Sequence, residues 1–321
     1  MKATATAHPI QGLIKYHGLK NPKQRIPYHD SISVCIQALS TTTSVETLHE
    51  SKKTEITINR RQPNTTEKKR VETVLDKLKE LAEYSGSFKI VSQNSLEIGK
   101  GLGFSASGFA ALSLAGAEAL DLSLDKVTLS EVARLGAGSA TRSVAGGFAI
   151  WYANRKGKSY AEQLETAKGI DFSMVIVPVR SEVKTDEAHA EVLSSCLFKA
   201  RLKNINHMLK KMKKAIFLGD TSTIGLLAEE DTLNLHAITM TGKSHMVLWE
   251  PDTVRVIKEV IRTREEGTKA WYSMDTGPSV FVNTYKENAE RIAKRLFEMG
   301  CEKVLVSKVG GMPFLTGNHL F

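Results

Sequence analysis

The sequence predicts an α+β protein of two domains, in which groups of strands are followed by groups of helices. Its 321 residues suffice for two domains, at roughly 150 residues each. Strands and helices that do not alternate strictly favour layered α+β sheets. The nearly continuous apolar run 172–179 is typical of a central strand, and longer helical patterns follow it. We therefore expect an N-terminal α+β domain over 1–170 and a C-terminal α+β domain over 171–321.

The N-terminal domain should begin with strands, because its early segments alternate or are β-branched between turn residues. We predict strands at 3–7, 32–36, 41–46, 55–59 and 88–92, and helices at 66–84, 109–120 and 128–136. Helical spacing predicts that the first helix buries Val71, Val74, Leu75, Leu78 and Leu81.

The C-terminal domain is predicted to carry the longer helices. We predict helices at 196–218, 224–229, 251–264 and 286–299, and strands at 172–179, 270–274, 280–283 and 304–306.

Composition excludes several classes of protein. Hydrophobic residues make up 41% and charged residues 25% of the chain, as in globular domains, and no apolar run reaches the roughly 20 residues of a membrane-spanning helix. The N-terminus lacks the apolar core of a signal peptide. Three widely spaced cysteines argue against a disulfide framework and a zinc ribbon. We expect a cytoplasmic protein without a membrane partner.

The formal net charge of +9 has two candidate explanations, nucleic acid and an anionic small substrate. Four lysines cluster at 210–214, but apolar residues interleave with them at helical spacing. The lysines should therefore lie on the solvated side of an amphipathic helix. Because no nucleic-acid-binding motif accompanies the charge, we expect an anionic small molecule and no nucleic acid.

The glycine-rich segment 99–108 precedes a helix of small residues. Gly101, Gly103 and Gly108 can take positive φ and let backbone amides approach an anion, to which the helix N-terminus would add its partial charge. Small residues before a helix also serve close packing. The segment matches no standard nucleotide-binding motif, so a phosphate cradle and plain packing both stay open.

Three other segments carry candidate chemistry. Arg142 lies among hydroxyl residues between two glycine clusters and suits a phosphate or carboxylate, although a structural ion pair is the alternative. Lys15 follows Leu13 and Ile14, so it should face a cleft or a carboxylate. Asp275 ends an apolar strand, where it could also merely cap a turn.

Taken together and in order, these segments resemble the mevalonate diphosphate decarboxylase family, part of the small-molecule kinase superfamily. The matching motifs are TATA (4–7), IKYHG (14–18), DSISV (30–34), GL with SASGFAA (101–111), GSATRS with GGF (138–148), LAEEDTLNLHA (227–237) and DTGP (275–278). The resemblance runs from about residue 3 to residue 310. It implies a two-domain GHMP-kinase-like fold with the active site in the interdomain cleft, and a homodimer.

The resemblance also implies the site residues. Lys15, Arg142 and Asp275 would be catalytic, around the C3 oxygen and the carboxylate of a mevalonate. The implied substrate-binding residues are Tyr16, His17, Ser105, Ser107, Gly138, Ser139, Thr141 and Lys184. His189 is a further candidate.

Several positions depart from the family pattern. Phe104 replaces a serine of the phosphate loop, and Glu97 or Ile98 stands where the family has a proline. Leu19 and Ala137 replace a lysine and a serine that help to hold the 5-diphosphate. These departures predict a loop that has lost its nucleotide and a site for a smaller phosphate, with no cofactor and no metal.

The departures match one relative of the family, the archaeal mevalonate 3,5-bisphosphate decarboxylase. The resulting expectation is ATP-independent decarboxylation of mevalonate 3,5-bisphosphate to isopentenyl phosphate, phosphate and carbon dioxide. The first alternative keeps ATP and Mg and decarboxylates mevalonate diphosphate or 5-phosphomevalonate. The second is a non-catalytic anion- or nucleic-acid-binding protein, against which the intact Lys15, Arg142 and Asp275 argue.

Overall fold

The computed structural model describes residues 1–48, 53–97, 101–180 and 185–321. The strands in these ranges are β1 Lys2–Ala7, β2 Ile10–Ile14, β3 Leu19–Asn21, β4 Ile26–Pro27, β5 Ser31–Cys35, β6 Thr41–Leu48, β7 Glu55–Ile58, β8 Ser87–Asn94, β9 Phe148–Trp151, β10 Ala161–Gln163, β11 Ser173–Val177, β12 Ala270–Ser273, β13 Val280–Thr284, β14 Leu305–Ser307 and β15 Phe314–Thr316.

The helices in the same ranges are α1 Thr65–Ala82, α2 Phe104–Ala119, α3 Lys126–Gly136, α4 Ala140–Ala145, α5 Thr185–Glu191, α6 Phe198–Leu218, α7 Thr221–Met240, α8 Pro251–Glu265 and α9 Lys286–Glu298. None of the helices in the described ranges is long and apolar enough to cross a membrane.

Three sheets form the framework. The first has the order β15-β1-β6-β8-β7, the second β10-β9-β5-β2 and the third β12-β13-β11-β14. Their pairings are antiparallel apart from the parallel pair β7–β8. β15 pairs with β1, so the end of the chain returns to the first sheet.

Helices and neighbouring sheets bury the apolar side chains of the three sheets. Helices α1, α2 and α3 cover the first sheet, and α8 and α9 cover the third. A further cluster joins Ile14 and Ile32 of the second sheet to Met174 and Phe281 of the third, with α6 and α7 packed against it. This shared cluster holds the two halves of the chain together and lies directly behind the cleft described below.

Most predicted elements form, with three differences. α2 begins at Phe104, so Gly108 is a helical residue rather than a loop residue with positive φ. α7 runs from Thr221 to Met240, far beyond the predicted 224–229. In α1 the predicted stripe is buried except for Leu81, which is 37% exposed.

The lysine cluster behaves as its spacing predicts. In α6 the buried residues include Ile205, Leu209, Met212 and Ile216, and all four lysines at 210–214 are exposed. The predicted domain limits, 1–170 and 171–321, stay a prediction.

Candidate active site

A cleft of about 410 Å³ lies between the two halves of the chain. The N-terminal half contributes Lys15 and Arg142 to its walls, and the C-terminal half contributes Asp275 and His189. The three predicted catalytic residues therefore face one cavity.

Lys15 directly follows β2 and is only 4% exposed. Its ammonium donates to Thr232 Oγ1 at 3.0 Å and to the carbonyl of Ala228 at 3.4 Å, and lies 3.6 Å from Asp231 Oδ2. Burial lowers the pKa of Lys15, while the charges of Asp231 and Asp275 oppose that shift. The lysine is thus a buried cation held by one face of α7.

Asp275 lies in the turn after β12, against the second sheet. The amide of Gly12 donates to its Oδ1 at 2.7 Å, and the ring Nε2 of His236 donates to its carbonyl at 3.1 Å. A Cβ at Gly12 would lie 2.7 Å from the same carboxylate oxygen, so this approach requires glycine. Burial raises the pKa of Asp275, although Lys15, the Gly12 amide and Arg142 oppose the shift.

Arg142 is a buried cation without a carboxylate partner among the described residues. Its Nη1 donates to Ser31 Oγ at 2.9 Å, and its guanidinium lies 5.5 Å from the ring centre of Tyr16 and 5.9 Å from that of Trp151. Its Nε, also buried, has no hydrogen-bond partner among the described residues. A buried charge is costly unless it is paired. The structural ion pair considered from sequence is therefore absent within the described part of the chain, and the geometry suits an anionic ligand.

The glycine-rich segment approaches both halves closely. Gly101 and Gly103 have φ of 77° and 75°, and a Cβ would lie 2.5 Å from the carbonyl of Gly277 or of Ile10, respectively. Gly103 is the N-cap of α2. The Ala106 amide donates to the Gly103 carbonyl at 2.8 Å, and the two amides before it, of Phe104 and Ser105, have no partner within the helix. Ser105 is exposed in the cleft beside these amides. Close packing is thus shown for Gly101 and Gly103, and it turns the helix N-terminus toward the cleft; the phosphate cradle stays a prediction.

Aromatic and imidazole rings line the other end of the cleft. The ring of His17 lies 4.5 Å from that of His189, which stacks on Tyr16 at 5.0 Å. Burial, first, and His189, second, lower the pKa of His17 well below its ordinary value, so the imidazole is neutral. Its Nε2 is buried and has no hydrogen-bond partner among the described residues.

The structure brings only part of the predicted substrate-binding set to the cleft. Tyr16, His17, Ser105, Gly138 and Ser139 line it. A Cβ at Gly138 would lie 2.6 Å from the indole of Trp151, so this part of the cleft wall has no room for a side chain and requires glycine.

Ser107 and Thr141 are fully buried and do not line the cleft. The hydroxyl of Ser107 shares a hydrogen bond of 2.7 Å with Thr41 Oγ1, and that of Thr141 donates to the carbonyl of Gly138 at 2.8 Å. Ser107 points into the protein because α2 begins at Phe104, five residues before the predicted start, and Thr141 does so within the short helix α4, which the sequence did not predict. Lys184 lies outside the described residues.

Sequence reasoning gave no role to the polar residues of α7. Asp231, Thr232 and His236 are buried on this helix and contact Lys15 or Asp275. The sequence does indicate them, since a carboxylate, a hydroxyl and an imidazole interrupt an apolar helix face. They were missed because the helix was predicted to end at 229.

A second cavity of about 210 Å³ adjoins the cleft between α1, α2 and the first sheet. Its apolar lining comprises Ile56, Ile58, Val71, Ile90, Phe109 and Leu112. Phe104 lines both cavities and packs against the shared core cluster, which leaves the second cavity open. We refer to it as the apolar cavity.

Comparison with known proteins decides the family. Residues 7–161 match the model of the diphosphomevalonate decarboxylase-like N-terminal domain, and residues 180–311 match that of the mevalonate 5-diphosphate decarboxylase C-terminal domain. The chain belongs to the mevalonate diphosphate decarboxylase family. This family membership confirms the resemblance and the α+β fold class, and it makes the protein one of a family of decarboxylases.

Individual members of the family differ in their similarity to the chain. It is 39% identical to the phosphomevalonate decarboxylase of Haloferax volcanii, over 94% of each sequence. It is 24% identical to the mevalonate 3,5-bisphosphate decarboxylase of Thermoplasma acidophilum, over 88% of this chain and 70% of that protein. These identities favour the first alternative over the ATP-independent expectation.

Solved structures from the family superimpose along the whole chain. Mevalonate diphosphate decarboxylase from Staphylococcus aureus has a TM-score of 0.93 at 28% identity, with 98% of each chain covered. A structure of the Enterococcus faecalis enzyme, described as showing ATP binding mediated by mevalonate diphosphate, has a TM-score of 0.91 at 28% identity and covers 98% of this chain and 99% of its own.

Proposed function

We propose that the protein is an ATP-dependent phosphomevalonate decarboxylase. It would convert mevalonate 5-phosphate and MgATP to isopentenyl phosphate, ADP, phosphate and carbon dioxide. The observation that carries this proposal is the 39% identity to the Haloferax volcanii phosphomevalonate decarboxylase across 94% of both chains. Cytoplasmic location and a homodimer stay predictions.

The end of the cleft near His17 supports a substrate with a single 5-phosphate. Tyr16, His17 and Ser139 offer an aromatic wall, an unpartnered ring nitrogen and a hydroxyl there. Ala137 also lines this wall and has no side-chain donor, where the family resemblance expects a serine. A monophosphate needs fewer donors than a diphosphate, so these residues suit the smaller group.

The buried charges support phosphorylation at C3 followed by elimination. The proton of the C3 hydroxyl would pass to Asp275, whose raised pKa suits a base, as the oxygen takes the transferred phosphoryl group. The C3–O bond then breaks with its electrons on the departing phosphate, and the C1–C2 electrons form the C2–C3 double bond as carbon dioxide leaves. Lys15 and Arg142 would stabilise the phosphate and orient the carboxylate, as preorganised charges do.

The loop end of the cleft supports a nucleotide as co-substrate. The apolar cavity adjoins the exposed Ser105 and the N-terminus of α2, so a flat base could lie in it while phosphates face the helix amides. Phe104 lines both cavities and packs against the shared core cluster. These features support a nucleotide at this end of the cleft, in contrast to the expectation from the loop sequence.

Carbon dioxide release tests the proposal. Mevalonate 5-phosphate, mevalonate 5-diphosphate and mevalonate 3,5-bisphosphate, each labelled at C1, are incubated with the protein, with and without MgATP. We expect release from the 5-phosphate only with MgATP and little from the 5-diphosphate. Release from the 3,5-bisphosphate without nucleotide, and none from the 5-phosphate, would restore the ATP-independent function. The same assays with Asp275→Asn give the background.

A further inference from the structure

Both backbone polar groups of Lys15 are held by a buried ion pair. Asp231 Oδ2 accepts from the Lys15 amide at 2.9 Å, and Arg201 Nη2 donates to the Lys15 carbonyl at 2.6 Å. The two side chains also join each other, Arg201 Nη2 to Asp231 Oδ1 at 2.9 Å. Asp231 is 1% and Arg201 3% exposed. We call these two residues the Lys15 clamp.

The position of Lys15 explains why such a clamp is needed. β2 is the edge strand of the second sheet, its ladder with β5 shifts register between Gly12 and Ile14, and the strand ends at Ile14. The next backbone amide and carbonyl are buried without a strand neighbour, and such groups need partners. Asp231 of α7 and Arg201 of α6 provide these partners, so two side chains make the hydrogen bonds that a neighbouring strand would otherwise make.

The clamp also reaches the ammonium of Lys15. Asp231 Oδ2 lies 3.6 Å from Nζ, and the neighbouring Thr232 accepts from Nζ at 3.0 Å. Arg201 Nη1 donates to Asn234 Oδ1 at 2.6 Å, which fixes the guanidinium from the far side. The same turn of α7 thus contacts both the backbone and the ammonium of Lys15.

We propose that Asp231 and Arg201 are positioning residues, which hold Lys15 in the geometry that acts on the substrate. The inference rests on the proposed function, because Lys15 must contact the reacting atoms for its position to matter. Neither clamp residue lines the cleft, so their effect passes through Lys15. A misplacement of about 1 Å in such a group can cost on the order of 100-fold in rate.

A second ion pair on the same helix provides a matched control. Glu229 Oε2 accepts from the Tyr272 amide at 3.1 Å, and Arg264 Nη1 donates to the Ala270 carbonyl at 2.9 Å. The pair is bidentate at 2.8 and 3.0 Å. It holds strand β12 in the way that the clamp holds Lys15, but none of these residues lines the cleft.

The experiment compares Asp231→Asn with Glu229→Gln. Both exchanges keep the shape and remove the negative charge. Thermal unfolding and steady-state carbon dioxide release are measured, with whichever of the three substrates the wild type converts. We expect Asp231→Asn to lower kcat on the order of 100-fold with KM changed less than about threefold, and Glu229→Gln to keep kcat within about twofold at a similar loss of stability.

Two further measurements separate positioning from structure. In Asp231→Asn the alkaline limb of the kcat profile should move to lower pH, because a negative charge beside the Lys15 ammonium is gone; in Glu229→Gln it should not move. Arg201→Lys keeps the charge and loses the planar fork, so it should fold and still lose most of kcat. This variant serves as the test if Asp231→Asn does not fold.

The outcomes distinguish the two proposals. Equal effects of Asp231→Asn and Glu229→Gln on kcat, an unmoved alkaline limb, or full activity in Arg201→Lys would overturn the clamp alone. Conversion of another substrate by the wild type would overturn the proposed function and leave the clamp to be judged on that substrate. Conversion of none of the three substrates would overturn both.

Discussion

The two ends of the cleft are built in opposite ways. At the catalytic end, Lys15 and Arg142 are almost fully buried, and hydrogen bonds fix Asp275 at its carboxylate and its carbonyl. At the loop end, Ser105 is exposed and a cavity of about 210 Å³ stands open beside it. Arg61, on that rim, is already paired with Glu67 at the surface.

Under the proposed function, the buried end would carry out the chemistry and the open end would bind the nucleotide. Buried charges on rigid elements act strongly on a developing charge because no solvent reorganises around them. An open, partly apolar cavity can accept or refuse a nucleotide without altering those charges. Members of one family could therefore share the catalytic end and differ at the loop end, which is where the competing functions of this chain diverge.

Asp275→Asn should have the largest effect, because it removes the negative charge of the catalytic end while keeping the hydrogen bond from Gly12. We expect turnover to fall at least about 100-fold with the fold intact. Carbon dioxide release and circular dichroism measure the two properties. Turnover near the wild-type rate would show that Asp275 only caps its turn.

Arg142→Lys tests the planar group at the same end. An ammonium cannot reproduce the guanidinium fork, so we expect turnover to fall by about 10- to 100-fold. Isothermal titration with the substrate should show weaker binding as well. Unchanged binding and turnover would make Arg142 a purely structural residue.

The pH profile tests the two titrating groups together. The raised pKa of Asp275 means that its carboxylate, and with it activity, is lost on acidification at a higher pH than the ordinary 3.8. The lowered pKa of Lys15 places the alkaline limb below 10.5. Outside each limb, log kcat should fall by about one per pH unit. An acid limb that persists in the residual activity of Asp275→Asn would assign it to another group.

Gly108→Leu tests the loop end and should have the smallest effect. Gly108 lines the apolar cavity, and a Cβ there would have its nearest neighbour at 4.0 Å, so a larger side chain should occupy part of that cavity. We expect KM for ATP to rise about tenfold, the equivalent of about 1.4 kcal/mol, with kcat for the bound complex nearly unchanged. Gly108→Ala is the control: it should leave KM alone and stabilise the helix by about 0.5–1 kcal/mol. An unchanged KM in Gly108→Leu would place the nucleotide elsewhere.

The sequence indicated the residues of the catalytic end more directly than the space at the loop end, for a physical reason. Lys15, Arg142 and Asp275 lie in short motifs, and their residue types indicate a site for an anion. All three face the cleft. The replacement of a serine by Phe104 predicts a loop without a nucleotide, and this stays a prediction. The space beside Phe104 depends on α1 and the first sheet, which are distant in sequence. The role of Asp231 was missed because only the tertiary fold brings α7 to the end of β2.

The pairing of β15 with β1 affects how the protein folds during its synthesis. β15 pairs with β1 through Thr4 and Thr316, and His319 Nδ1 lies 2.7 Å from Thr4 Oγ1. The first sheet is thus completed by residues that are synthesised long after β1. Until they emerge, β1 is an uncovered edge, the kind of strand that pairs with foreign chains. A fragment ending at residue 311, where the family match stops, would keep every predicted catalytic residue and leave that edge open for good.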